Sequence, residues 1–150
     1  VKIEFDDPAI GTQAYSYTHK NGSFAAELAN ARTFCQLRDV ELMQNAGLAL
    51  GGSLNNAIVV DDGKILNDGG LRVEREFVRH KVLDCLGDLF LIGMPVKAKM
   101  TVERPGHALS TKLVHALLGD STNYEIMHAD NEYDGSGSFA MPELAAAAMA

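Results

Sequence analysis

Basic residues are in short supply in this chain. Of its 150 residues, 13 are Lys or Arg against 20 Asp or Glu, for a net charge of −7. General nucleic-acid binding draws on a basic surplus that neutralises phosphates, so the deficit argues against that class, although a small basic pocket for one phosphate group remains compatible. Cysteine is also scarce. Cys35 and Cys85 are the only two, too few for the disulfide framework of a small secreted domain. Cys85 falls in an apolar helical pattern and reads as a buried free thiol. No apolar run is long enough for a membrane span, and no segment is built like a signal peptide. The expected setting is therefore reduced and cytoplasmic, without membrane insertion. There is no internal repeat. Val1 is not Met and leads straight into a strand pattern, as one part of a longer chain would.

What is present suits one domain with a real core: 47% apolar and 22% charged residues over this length. Val1, Ile3 and Phe5 alternate with Lys2 and Glu4, a half-buried strand, with Gln13 to Thr18 as its hairpin partner. Ser23 can cap a helix from Phe24 to about Ala31. Residues 32–38 show no clear period. Asp39 to Ala46 reads as a short helix stopped at Gly47. Asn56 to Val60 reads as a strand that turns at Asp61-Asp62-Gly63 into Lys64 to Leu66. Arg72 to Leu91 is the strongest helix, followed by a strand from Val96 to Val102. A second amphipathic helix runs from His107 to Leu118, and Tyr124 to Met127 suits a last short strand. The tail, about 130–150, is expected to be weakly structured, with its Ala-rich end from Pro142 frayed or weakly helical. Strands joined by tight hairpins and mixed with helices predict an α+β fold: a two-layer sandwich, a mixed sheet with helices on one face.

The helix over Arg72 to Leu91 carries the chemistry. At about 100° per residue, His80, Asp84 and Asp88 line one face, while Val78, Val82, Cys85, Leu86 and Leu89 line the other. A His and an Asp four residues apart can reach one cation, and imidazole nitrogen and carboxylate oxygen are both good zinc ligands. Gly87 on the same face leaves room for a close approach. Spacing alone leaves a solvated surface pair as the commoner reading. His107 follows Pro105-Gly106 at a helix N-terminus, where the dipole favours a neutral ring and a carboxylate such as Asp88 offsets this. Lys81 and Arg104 lie close by in sequence and suit phosphate groups. His19, His115 and His128 read as structural or solvated.

At this point the motifs become specific. Phe77-Val78-Arg79-His80-Lys81-Val82-Leu83-Asp84, followed by Gly87-Asp88-Leu89, resembles the metal-binding helix of the UDP-3-O-acyl-N-acetylglucosamine deacetylases. Ala31-Arg32-Thr33-Phe34, Leu37-Arg38-Asp39-Val40-Glu41, Leu50-Gly51-Gly52-Ser53, Val59 to Leu71 and Gly106-His107-Ala108-Leu109 resemble further segments of that family. The likeness runs in order from Val1 to about Leu118.

The resemblance implies zinc-dependent removal of the N-acetyl group from UDP-3-O-acyl-N-acetylglucosamine, in lipid A biosynthesis. It implies that His80 and Asp84 bind Zn2+, that His107 protonates the leaving amine, and that Asp88 orients that histidine. Thr33 would hydrogen-bond the developing oxyanion. Phe34 would line the sugar site, and Lys81 and Arg104 would contact substrate. Residues 37 to about 60 would form a small inserted βαβ unit with an acyl passage, lined by Leu37, Val40, Ala49, Leu54 and Val59. These roles suit amide hydrolysis, which needs an activated water, a stabilised oxyanion and a proton for the amine.

Cys35 and Gln36 depart from the Gly and the aromatic or other apolar residue of many members, and Ala49 from a common Cys. Arg104 stands where many members have Lys. The family has two similar domains, and only the second is resembled here. The first would supply the third zinc ligand, a His, and the Glu that acts as general base. Glu74 and Glu76 share the metal helix but no family motif, and no role is assigned to them. The alternative expectation is a non-catalytic module that holds a nucleotide sugar or acyl chain.

Overall fold

The computed structural model describes residues 1–127. The expected weakly structured tail and His128 lie outside the described residues.

The fold is α+β, with its strands divided between two small sheets. Strand β1 (Lys2–Glu4) pairs antiparallel with β2 (Thr12–Ala14), Ile3 opposite Gln13. The expected partner, Gln13 to Thr18, starts and ends earlier, and Val1 and Tyr15 extend the ladder by exchanging two hydrogen bonds, each N–H to the other's carbonyl. Helix α1 (Ser23–Glu27) is short. Ser23 does not cap it. Gly22 takes the N-cap position, and the Ser23 hydroxyl is held by the 18–20 turn, donating to the Thr18 and Lys20 carbonyls.

The second sheet begins where no period was legible. Thr33–Gln36 forms β3, parallel to β4 (Ala57–Asp61), with Phe34 opposite Ile58. β4 pairs antiparallel with β5 (Lys64–Ile65). The turn between them has positive φ at both Asp62 (44°) and Gly63 (77°), as a two-residue Asp-Gly hairpin requires. A Cβ at Gly63 would also sit 2.8 Å from the Pro8 ring. Helix α2 (Leu37–Asn45) is the crossover between the parallel strands. The βαβ unit therefore opens at Thr33, four residues before the expected insert.

Helix α3 (Glu76–Leu89) packs Phe77 and Val78 into a core completed by Ile3 from β1, Ile10 from the turn between β1 and β2, and Ile58 and Val60 from β4. One helix thus joins both sheets. It starts four residues later than expected. Arg75, at φ 55°, cannot continue a helix, and the Arg72 N–H is taken by the Glu76 carboxylate instead. At its end Phe90–Ile92 tightens into a 3-10 turn. Helix α4 (His107–Gly119) packs beside α3.

Two expected strands do not form. Val96 to Val102 meets β1 only at its end, where the Lys2 N–H donates to the Val102 carbonyl and the Arg104 N–H to the Lys2 carbonyl. Its apolar alternation has no sheet to bury it, and Val96 is exposed. Tyr124 to Met127 follows a 3-10 turn, Ser121–Asn123, closed by the Asp120 carboxylate, and takes no regular structure.

Candidate metal and proton-transfer site

Helix α3 presents its two faces as the sequence pattern divides them. Phe77, Val78, Val82 and Cys85 are buried. The row His80, Asp84, Asp88 climbs the other side in steps of about 6 Å.

The His80 ring is held at both nitrogens. Nδ1 lies 3.1 Å from the Ala31 carbonyl oxygen, and Nε2 lies 3.2 Å from Asp84 Oδ1. A carbonyl can only accept, so Nδ1 carries a hydrogen and donates it. When the ring is neutral, Nε2 then has a bare lone pair facing a carboxylate oxygen. Two such atoms at this separation repel unless a proton or a cation lies between them. Ligands about 2.0–2.2 Å from a tetrahedral zinc stand roughly 3.3 Å apart, so the donor set and its spacing fit that ion. Among the described residues no group of three or more His, Cys, Asp or Glu side chains could hold a metal ion. The described residues thus offer a pair, where a catalytic zinc takes three protein ligands.

Lys81 Nζ donates to the other Asp84 oxygen at 2.9 Å and lies 5.8 Å from the Phe34 ring centroid. Burial by itself would raise the Asp84 carboxyl. The hydrogen bonds and positive charge of His80 and Lys81 outweigh it and lower the carboxyl to about 2. Phe34 packs edge-on against Phe77, Phe5 and His80, and so ties β3 to the histidine face of α3.

One turn beyond Asp84, Asp88 accepts from His107 Nδ1 with both oxygens, at 2.9 and 3.1 Å. His107 is the first residue of α4, and its side chain is 69% exposed. Among the described residues its Nε2 takes no hydrogen bond, and an exposed imidazole nitrogen of this kind can exchange a proton. Gly87 lies between the two pairs in sequence, and a Cβ there would meet open space.

The remaining candidates are spread more widely. Thr33 is exposed at the start of β3. Arg104, at φ 49°, binds the Glu4 carboxylate through Nε at 2.8 Å. In the βαβ unit Leu37 and Val40 are half-buried on α2, and Ala49 and Leu54 are exposed. Val59 is buried on the face of β4 opposite to Ile58 and Val60. Leu42, Leu48 and Leu50 are exposed beside them in sequence.

Three further residues organise the site without having been legible as functional. Glu76 is fully buried. It accepts from the Arg32 N–H and Nε at 2.9 Å each, from Arg32 Nη2 at 3.1 Å and from the Arg72 N–H at 2.6 Å. Arg32, also buried, donates in addition to the Gly70 carbonyl. Asn67 accepts from the Val59 N–H and donates to the Leu54 and Ala57 carbonyls, closing the end of the βαβ unit. A charge beside Phe77-Val78 at a helix start is the only sequence signal for Glu76, and it does not reveal its partner.

A ligand-type His–Asp pair on α3, followed one turn on by a carboxylate that holds the first histidine of α4, has the components of a hydrolase site. Comparison with known proteins makes the class particular. Residues 1–119 match the family model of UDP-3-O-acyl N-acetylglycosamine deacetylase, and the chain belongs to that family. It is 48% identical over 130 residues to the UDP-3-O-acyl-N-acetylglucosamine deacetylase of Campylobacter hominis, covering 87% of this chain and 44% of the relative. To the enzyme of the same name from Myxococcus xanthus it is 49% identical over 136 residues, 90% of this chain and 43% of the relative. To that of Helicobacter pylori J99 it is 46% identical over 129 residues, 86% and 44%. The chain thus spans less than half the length of the curated relatives it matches.

Proposed function

We propose that this chain is the C-terminal part of a zinc-dependent deacetylase acting on UDP-3-O-acyl-N-acetylglucosamine in lipid A biosynthesis, in the cytoplasm. The observation that carries the reading is the His80–Asp84 pair, with Nε2 of the ring 3.2 Å from a carboxylate oxygen. His80 and Asp84 would hold Zn2+, and the third ligand, a His, and the Glu base come from a preceding domain. When bound, zinc supplies a Lewis acid and a water acidified toward neutrality. Thr33 donates its hydroxyl to the oxyanion. His107 gives a proton from Nε2 to the departing amine while Asp88 holds Nδ1. Lys81 and Phe34 bind and orient the sugar, Arg104 the diphosphate, and the exposed apolar residues around α2 the acyl chain.

Two measurements test this. Zinc affinity and deacetylation are compared for this chain alone and for the full-length protein. With one ligand short, the chain alone is expected to bind zinc more than about 100-fold more weakly, since loss of even an outer partner costs 10–100-fold, and to turn over little substrate. Full activity in the chain alone would overturn the assignment of the missing ligand and base. In the full-length protein, His107→Ala is expected to lower kcat on the order of 10²–10⁴-fold with zinc content unchanged, the effect of losing a general acid. An unaltered kcat would remove His107 from proton transfer.

A further inference from the structure

Glu76 and His80 are one turn apart on α3, and the same peptide group lies against both. The Arg32 N–H donates to Glu76 Oε1 at 2.9 Å, and the Ala31 carbonyl, across that same peptide bond, accepts from His80 Nδ1 at 3.1 Å. The described backbone has no cis peptide, so this N–H and C=O point in opposite directions. One carboxylate and one imidazole therefore grip the two ends of a single peptide dipole. Arg32 fixes the carboxylate side with two further bonds, and its own guanidinium is anchored to the Gly70 carbonyl. A metal-ligating histidine usually donates its far N–H directly to a carboxylate or a carbonyl, which fixes the tautomer and ring angle. Here a carbonyl receives it, and behind that carbonyl stands a buried carboxylate.

We propose that Glu76 is a positioning residue that acts through the Ala31–Arg32 peptide to hold the Nδ1–H of His80 and so aim its Nε2 at Asp84. Negative charge at the N–H end polarises the peptide and makes the carbonyl a stronger acceptor, as hydrogen bonds in a chain strengthen one another. The same clamp sets the entry angle of β3, and with it Thr33 and Phe34. The use made of His80 rests on the zinc reading above; the relay itself does not.

The test separates the two. With the His80 ring protonated, both nitrogens carry a hydrogen, and proton–nitrogen NMR of this metal-free chain reads the Nδ1–H directly. The unaltered chain is expected to show a downfield, slowly exchanging Nδ1–H. Glu76→Gln keeps shape and one acceptor but no charge, so the resonance should move upfield and exchange faster. The paired variant Glu76→Met with Arg32→Met removes the buried charges together and should lose the protected signal. In the full-length protein either variant is expected to weaken zinc binding about 10–100-fold. An unchanged Nδ1–H resonance in a folded paired variant overturns the relay. If the paired variant does not fold, Glu76→Gln decides by the same criterion. Retention of zinc by full-length His80→Ala would instead overturn the zinc reading and leave the relay standing.

Discussion

Replacing His80 with Ala in the full-length protein is expected to lower kcat/KM for deacetylation on the order of 10³-fold and to empty most of the metal site. The magnitude follows from what a metal contributes to an amide transition state. Lewis-acid stabilisation is worth several kcal/mol, and each 1.36 kcal/mol is a factor of ten in rate. The loss of packing is small by comparison, because His80 lies at the edge of the core and its ring meets Phe34 only at 6.4 Å between centroids. Zinc content and kcat/KM should therefore fall together while the melting temperature moves little. Asp84→Ala is expected to do the same and also to release Lys81, which donates to that carboxylate. The contrast with His107→Ala, which should keep the metal and lose kcat, separates the metal pair on α3 from the histidine that α4 brings to Asp88. A His80→Ala protein that keeps both zinc and rate would favour a module that holds a nucleotide sugar or acyl chain.

The parts of this site that could be read in the sequence are those that repeat with the helix. His80, Asp84 and Asp88 share a face because 100° per residue puts them there, and Val78, Val82 and Cys85 are buried for the same reason. The Asp-Gly hairpin after β4 was legible because its turn chemistry is local. The parallel pair β3–β4 was not. A four-residue strand, Thr33–Gln36, is too short to show a period, and its partner lies beyond the whole of α2. The converse error has the same origin. Val96 to Val102 alternates like a strand, yet β1 is only three residues long, and its edge away from β2 is met only at Lys2, by Val102 and Arg104.

Glu76 shows the same limit at the level of chemistry. Nothing within a few residues of it explains a buried carboxylate. Its partner Arg32 is 44 residues away, and the two meet only because β3 returns beside the first turn of α3. Arg104 shows the limit from the other side. Three residues before His107 it reads as a free cation, and the sequence does not reveal that Glu4, 100 residues away on β1, meets its guanidinium. Long-range partners decide whether a charge is available, and they are the part of a fold that single-sequence periodicity carries least.

The buried pair makes the second large prediction, on stability. Glu76→Ala leaves the Arg32 guanidinium buried without its countercharge and orphans the N–H groups of Arg32 and Arg72. Breaking one side of a buried ion pair costs about 3–5 kcal/mol, against a total near 5–15 kcal/mol for an ordinary domain. At roughly 2–4 °C per kcal/mol for a chain of this size, the melting temperature should fall by roughly 6–20 °C. The paired Glu76→Met, Arg32→Met variant should fall much less, because apolar side chains of similar volume carry no charge to desolvate. Acid adds an independent check. Burial alone would raise the Glu76 carboxyl, but the hydrogen bonds and charge of Arg32, with the Arg72 N–H, hold it below its ordinary value of 4.5. A carboxyl lowered on folding contributes stability in full above the unfolded value and loses it as pH falls through the folded one. The unaltered chain should therefore lose stability more steeply below pH 4.5 than the paired variant, as measured by chemical denaturation across that range. Equal slopes would mean that the ion pair contributes nothing to folding. A Glu76→Ala chain that melts with the unaltered one would remove the clamp as a structural element of the site.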